Sequence, residues 1–157
     1  MTLTELQTRY LLRRDLPTLA RLERDGCAEP WDAAQIIETA LLPNHGARVV
    51  EWRGEVVGYS IWHAGRRHIE IVRLAVAPEA RRKQCGAKLM CRLFRDAGHT
   101  GRGLRAFVPE DNTGAQLFLR WCEMRARAVC PDHYPDGATA YEFHRPAGEI
   151  VAVLASL

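Results

Sequence analysis

Between Ile69 and Leu93 the residue types fall in an order that can bind an anion. An apolar run, IEIVRLAV (69–76), precedes Pro78. A basic turn, Arg81-Arg82-Lys83-Gln84-Cys85-Gly86-Ala87, follows, and then an amphipathic segment with Leu89, Met90, Leu93, Phe94 and Ala97 on one side. The start of a helix has N–H groups without intrahelical partners and a partial positive charge. Three cations and a glycine beside it add charge and admit close approach of a ligand to the backbone. That chemistry suits a diphosphate at 81–87; a solvated basic helix start is the alternative reading of the same residues. Neither GxxxxGK[ST] nor GxGxxG occurs, which excludes those two phosphate loops. The second chemical feature is Glu70. A carboxylate inside an otherwise apolar strand needs a reason, either general-base work or pairing with an arginine such as Arg73 or Arg48.

Hydrophobic periodicity supplies the elements that must hold these residues, in the order β α α β β β α β α β β, an α/β (α+β) class. A short first strand is expected at Tyr10–Arg14, then a helix from Asp15 to Arg24 with Leu16, Leu19 and Ala20 inward and Pro17 in its first turn. Pro30-Trp31-Asp32 opens a second helix whose buried stripe is Ile36, Ile37, Ala40 and Leu41. Ala47–Trp52 and Val56–Trp62 flank Arg53-Gly54-Glu55 as a hairpin, and Ile69–Val76 reads as a central strand. Strict alternation sets Glu70, Val72, Leu74 and Val76 on one face and Ile71, Arg73 and Ala75 on the other. After the helix that ends at Gly98 come a strand at Leu104–Val108, a helix capped by Asp111 or Asn112 and reaching about Cys122, and a hairpin of Arg125–Pro131 with Ala138–His144.

The chain has 157 residues, 47% hydrophobic and 26% charged, which suits one domain with a buried core and excludes a disordered chain. Its 22 Lys+Arg against 19 Asp+Glu leave a formal charge of +3, short of the excess that marks a nucleic-acid binder. No apolar run reaches the ~18 residues of a membrane helix, and Glu5, Arg9, Arg13, Arg14 and Asp15 break any leader-like stretch. A cytoplasmic single domain spanning 1–157 is expected, with neither nucleic acid nor membrane as a partner. Cys27, Cys85, Cys91, Cys122 and Cys130 are odd in number and form no CxxC pair, so reduced thiols and no metal site are expected.

The run IEIVRLAVAPEARRKQCGAKLM (69–90) is similar to motif A of the GNAT superfamily of acetyl-CoA-dependent N-acetyltransferases, and the element order matches that fold. Val56-Val57-Gly58-Tyr59, Val76-Ala77-Pro78-Glu79, and Asn112 with Ala115 agree with it. Pro30-Trp31 and HYPDGATAYEF (133–143) resemble the branch that acetylates protein N-termini, including ribosomal-protein-alanine acetyltransferases. The resemblance covers roughly residues 9–145 and leaves 146–157 as a tail, read as an added strand, a dimer contact or a packed end. It implies a mixed sheet of six to seven strands with about four flanking helices.

By that resemblance acetyl-CoA is the acetyl donor. Its diphosphate lies on the turn Arg81, Arg82, Lys83, Gln84, Cys85, Gly86 and Ala87, its pantetheine along Leu74, Ala75 and Val76, and Asn112 contacts it further on. Strand N–H groups near Leu74 and Ala75 polarise the acetyl carbonyl, Glu70 is the base, and Trp31, His133 and Tyr134 hold the acceptor. Five positions depart from the family pattern: Gln84 stands where the first glycine of the turn belongs, Leu119 where many members carry the tyrosine that protonates the thiolate, Phe107 where the ribosomal branch has a glutamate, and Glu123-Met124 where Gly-Phe is common. Tyr134, Tyr141 or water is left for the proton. The reading expected first is transfer to a protein or peptide N-terminal α-amine. Acetylation of a small amine (polyamine, aminoglycoside or amino acid) is the second, and a degenerate acyl-CoA binder the third; a homodimer is compatible with each.

Overall fold

The computed structural model describes residues 5–81 and 84–150. Seven strands hydrogen-bond in the order β1-β2-β3-β4-β5-β7-β6, as the expected mixed sheet requires, and the described residues include five α-helical segments, the last at 147–150, and short 3-10 turns at Arg13–Asp15 and Pro78–Ala80. The chain divides into two compact units, and β4 (His68–Val76) and α3 (Cys85–His99) contribute to both.

The first unit takes the chain up to Ala64 together with Val72–Arg92. It contains β1 (Leu6–Tyr10), α1 (Leu16–Gly26), α2 (Ala33–Ala40), β2 (His45–Trp52) and β3 (Glu55–Ala64). The first strand lies N-terminal to the expected Tyr10–Arg14. Pairing with β2 ends at Tyr10↔Arg48, and Asp15 then takes the Leu12 N–H at 2.8 Å, which folds Arg13–Asp15 into a 3-10 turn. Asp32 caps α2 as expected, accepting from the Gln35 N–H at 2.8 Å. The β2–β3 turn runs through Arg53 and Gly54 with φ of 51° and 82°, the left-handed pair that a two-residue hairpin needs. Leu16, Leu19 and Leu22 of α1 and Ile36 of α2 bury against Val49, Tyr59 and Ile61.

The second unit holds Gly65–Ile71 and everything from Leu93 on, including β5 (Gly103–Pro109), α4 (Thr113–Trp121), β6 (Arg125–Cys130) and β7 (Ala140–Arg145). The parallel β4–β5 ladder has four pairs, from His68↔Gly103 to Ile71↔Ala106, and Val72–Val76 take no part in it. β5 and β7 run antiparallel from Leu104↔Arg145 to Pro109↔Ala140. Of the tail, residues 147–150 are helical and Ile150 is buried; 151–157 lie outside the described residues.

Candidate active site

In the first unit the buried stripe of α1 includes one charged residue. Glu23 is 0% exposed and follows Leu16, Leu19 and Ala20 at helical spacing. Its carboxylate accepts from Tyr59 Oη at 2.5 Å, from Arg73 Nε at 3.0 Å and Nη2 at 2.5 Å, and from the Trp31 N–H at 3.2 Å. Burial by itself would raise the Glu23 carboxyl, but the Arg73 and Tyr59 hydrogen bonds and the Arg73 charge outweigh it, so the group lies below its ordinary range. Burial first, and then donation to Glu23, drives the Tyr59 phenol up. Arg73 also donates to the Glu29 carbonyl at 3.2 Å and sits over the Trp31 ring at 4.9 Å. The loop between α1 and α2, with Trp31 on it, is thereby tied to β4 one residue before Leu74.

Two further features belong to this unit. Arg81 is turned inward, its guanidinium donating to the Gly26 carbonyl at 2.5 Å and the Val76 carbonyl at 3.3 Å, so it braces the turn with its side chain. Gln84 has φ of 68°, and the Lys88 N–H bonds back to its carbonyl at 2.9 Å. Cys85, Gly86 and Ala87 form the first turn of the fifteen-residue helix α3, the end of a helix that carries partial positive charge. Arg82 and Lys83 lie outside the described residues.

In the second unit a polar face assembles by register. Glu70 lies opposite Arg105, Arg105 opposite His144, and Phe107 opposite Glu142. Arg105 Nε donates to Glu70 Oε1 at 3.0 Å, with the two side chains 34% and 27% exposed. The partner expected for Glu70 was Arg73 or Arg48; it is Arg105, because the parallel neighbour places that guanidinium beside it while Arg73 is engaged by Glu23. Glu70 is half-buried, not enclosed. Arg127 holds Glu142 at 2.7 Å and, through that hydrogen bond, keeps its carboxyl below the usual range against burial.

His133, on the β6–β7 loop, stacks on Phe107 with centroids 4.6 Å apart, and Tyr134 meets it edge-on at 4.9 Å. Burial, then Asp111 and Asp136, push the Tyr134 phenol up. Phe107, His133 and Tyr134 therefore come together, and Arg105 links them to Glu70, its Cζ lying 5.6 Å from the Phe107 ring centre. Tyr141 does not join them: it alternates with Glu142, lies opposite Val108, and lines a hollow with Met124 and Phe143 on the other face of the sheet. Asn112 Oδ1 accepts the Ala115 N–H at 3.2 Å and is the N-cap of α4, so its carbonyl oxygen is already used in the fold.

The same face carries a histidine couple that sequence reasoning missed. His68 Nε2 and His144 Nε2 are 3.1 Å apart, flanking Gly103, where a Cβ would come within 3.1 Å of one ring and 3.3 Å of the other. At that distance one nitrogen donates and the other accepts, so the couple is stable only with fewer than two charges. Burial and then the neighbouring arginines lower both imidazoles. As the pH falls below the ordinary histidine value of about 6.5, the unfolded chain takes up protons that the folded couple refuses, and stability drops. A Tm series from pH 7.5 to 5 is expected to fall in the wild type and to flatten in His144→Gln; equal slopes would remove the couple as the cause.

The sequence model of the Acetyltransferase (GNAT) family matches residues 10–124, and the chain belongs to that family. It is an acetyl-CoA-dependent acyltransferase. No curated protein sequence matches it. Among solved structures, the ribosomal-protein-S18-alanine N-acetyltransferase from Escherichia coli superposes with a TM-score of 0.78 at 19% identity, covering 90% of this chain and 94% of that one. The yncA acetyltransferase of Salmonella typhimurium, solved with acetyl-CoA, gives 0.71 at 16% over 91% and 94%. Mutant forms of the spermidine/spermine N-acetyltransferase SpeG from Vibrio cholerae give 0.77 at 15% over 96% and 98%. At these identities the likeness is one of fold.

The departures from the family pattern take on a structural meaning here. Gln84 and Glu123 replace glycines, yet both keep left-handed backbone, with φ of 68° and 62°. Met124 stands where phenylalanine is common and is 1% exposed, so an apolar plug is retained.

Proposed function

We propose that the chain moves an acetyl group directly from acetyl-CoA to the N-terminal α-amine of a protein or peptide. The observation that carries this reading is the Glu70 face of the second unit. Its two carboxylates, Glu70 and Glu142, are each answered by an arginine, and the wall Phe107–His133–Tyr134 borders it. Such a surface suits one amine on a largely neutral chain. The residues that would hold acetyl-CoA fit the group: Leu74, Ala75 and Val76 lie beyond the β4–β5 ladder, and Cys85, Gly86 and Ala87 form the first turn of a fifteen-residue helix, the end at which an anion is stabilised. When bound, acetyl-CoA supplies an acyl group activated as a thioester.

The chain's own residues do the rest. The Leu74 and Ala75 N–H groups serve as donors to a carbonyl oxygen that gains charge. An aliphatic ammonium, with a pKa of about 8 to 10 depending on type, must lose a proton before it attacks. Glu70 takes that proton directly or through a water; one of its oxygens is held by Arg105 Nε and the other has no described partner. Trp31, His133 and Tyr134 contact the acceptor. Tyr134, held protonated, or water returns a proton to the leaving thiolate.

A second reading has its own observation. Asp111 and Asp136 are exposed near Tyr134, and neither enters an ion pair among the described residues, which favours a polycationic amine. Free CoA release from acetyl-CoA separates the two. Turnover on peptides with a free α-amine, abolished by blocking that amine, supports the first reading; turnover on spermidine with every peptide inert replaces it with the second.

Gln84 offers a test of the cofactor turn. A non-glycine residue in the left-handed region costs roughly 1–2 kcal/mol, and glycine returns some of that through its freer unfolded chain. Gln84→Gly is expected to leave Tm within a few degrees and to lower the KM for acetyl-CoA several-fold. A raised KM would show instead that the Gln84 amide binds the diphosphate.

A further inference from the structure

Arg48 on β2 is 7% exposed, and no carboxylate among the described residues pairs with it. Its Nε has no hydrogen-bond partner, and among the described residues the guanidinium enters no ion pair. Directly opposite on β3 stands Ser60, 1% exposed, whose Oγ is equally without a partner. Tyr10 lies opposite Arg48 on β1, so the three side chains form one row on one face of β1, β2 and β3. The Tyr10 ring centre is 4.1 Å from Arg48 Cζ and the Trp62 ring centre is 5.9 Å away. Gly46, opposite Trp62, makes room for that ring, since a Cβ there would approach it to 2.3 Å.

Arg48 Nε and Ser60 Oγ are held out of water without a partner, and the arginine charge meets no carboxylate among the described residues. Each buried donor left unpaired costs roughly 1–3 kcal/mol. Two aromatic contacts return only about 0.5–2 kcal/mol each. The row therefore lowers stability as it stands, which is the mark of a site built for a ligand. The rings lie near Cζ, and the unpartnered Nε with a neighbouring Nη is the edge offered to an acceptor. A planar carboxylate meets that edge with two parallel hydrogen bonds, and the Ser60 hydroxyl supplies a third donor. A tetrahedral phosphate would drive its remaining oxygens toward the rings.

We propose that Tyr10, Arg48, Ser60 and Trp62 form a binding site for a carboxylate, borne either by a small organic acid or by the C-terminus of a polypeptide. Tyr10, 62% exposed, is the wall that moves aside on entry.

Thermal shift on the full chain tests this with ligand pairs that differ only in the acid: N-acetylglycine against N-acetylglycinamide for the small-acid source, and acetyl-Ala-Ala against its amide for a polypeptide C-terminus, all at constant ionic strength. At about twenty times its Kd the acid is expected to raise Tm by several degrees, with the amide inert. Arg48→Met should abolish the difference and, having removed an unanswered charge, raise the Tm of the free protein. Should that variant not fold, Arg48→Lys keeps the charge, loses the fork, and should bind the acid at least tenfold more weakly. No acid–amide difference in the wild type would leave a water bridging Arg48 and Ser60, and would overturn the proposal. A difference that survives in Arg48→Met would place the carboxylate elsewhere and overturn it as well.

Discussion

Arg73→Met is expected to remove about 3–5 kcal/mol of folding stability, because it leaves the Glu23 carboxylate in the core with no opposing charge. At this chain length that corresponds to a fall in Tm of roughly 10 °C. The pH dependence gives the sharper signature. In the wild type the Glu23 carboxyl lies below its unfolded value, so its contribution is complete above about pH 4.3 and is lost as the pH falls through the lower, folded value. Without Arg73, burial, the largest cause, raises the carboxyl against the Tyr59 and Trp31 hydrogen bonds alone. The variant should then lose stability as pH rises from 4 to 7, where the wild type gains or holds it. The double variant Glu23→Gln, Arg73→Met should recover much of the loss, since an amide needs no counter-charge. A single variant as stable as the wild type at pH 7 would mean that Glu23 is protonated or wetted in the fold, against the geometry of its four hydrogen bonds.

Glu70→Gln is expected to lower kcat/KM by about 10²–10⁴-fold if the carboxylate is the base, some 3–5 kcal/mol in the barrier. Stability should change little, because the Arg105 pair is a quarter to a third exposed and such pairs contribute at most about 1 kcal/mol. Acetyl-CoA affinity should be unchanged. Raising the pH tests the same step from another side: the variant's deficit should shrink as the acceptor becomes a free amine without help. Unchanged turnover in Glu70→Gln would assign Glu70 to the structural pair with Arg105 and leave water to collect the proton.

Much of the element order was legible because apolar spacing reports which face of each helix and strand is buried. Leu16, Leu19 and Ala20 are spaced for α1, Asp32 caps α2, and Arg53-Gly54 marks the hairpin. Glu23 could have been found by the same means: it falls on the α1 stripe, and a carboxylate at a core position implies a buried cation. What spacing cannot supply is the cation's identity. Arg73 is 50 residues away and was grouped with candidate partners for Glu70. Arg105 drew no notice, although it shares a strand face with Phe107, because only the parallel register with β4 sets it against Glu70. The histidine couple is 76 residues apart and meets only across a glycine.

What the sequence by itself determined is the local chemistry: a basic turn opening a long helix, a carboxylate in a central strand, caps, hairpin turns and the family these compose. Those features depend on neighbours a few residues away, so residue type and spacing suffice to read them. The pairings came from the tertiary structure: Glu23 with Arg73 and Tyr59, Glu70 with Arg105, His133 on Phe107, and Arg48 with no anion among the described residues. Charges and rings choose partners by distance in space, and register between strands far apart in the chain sets that distance.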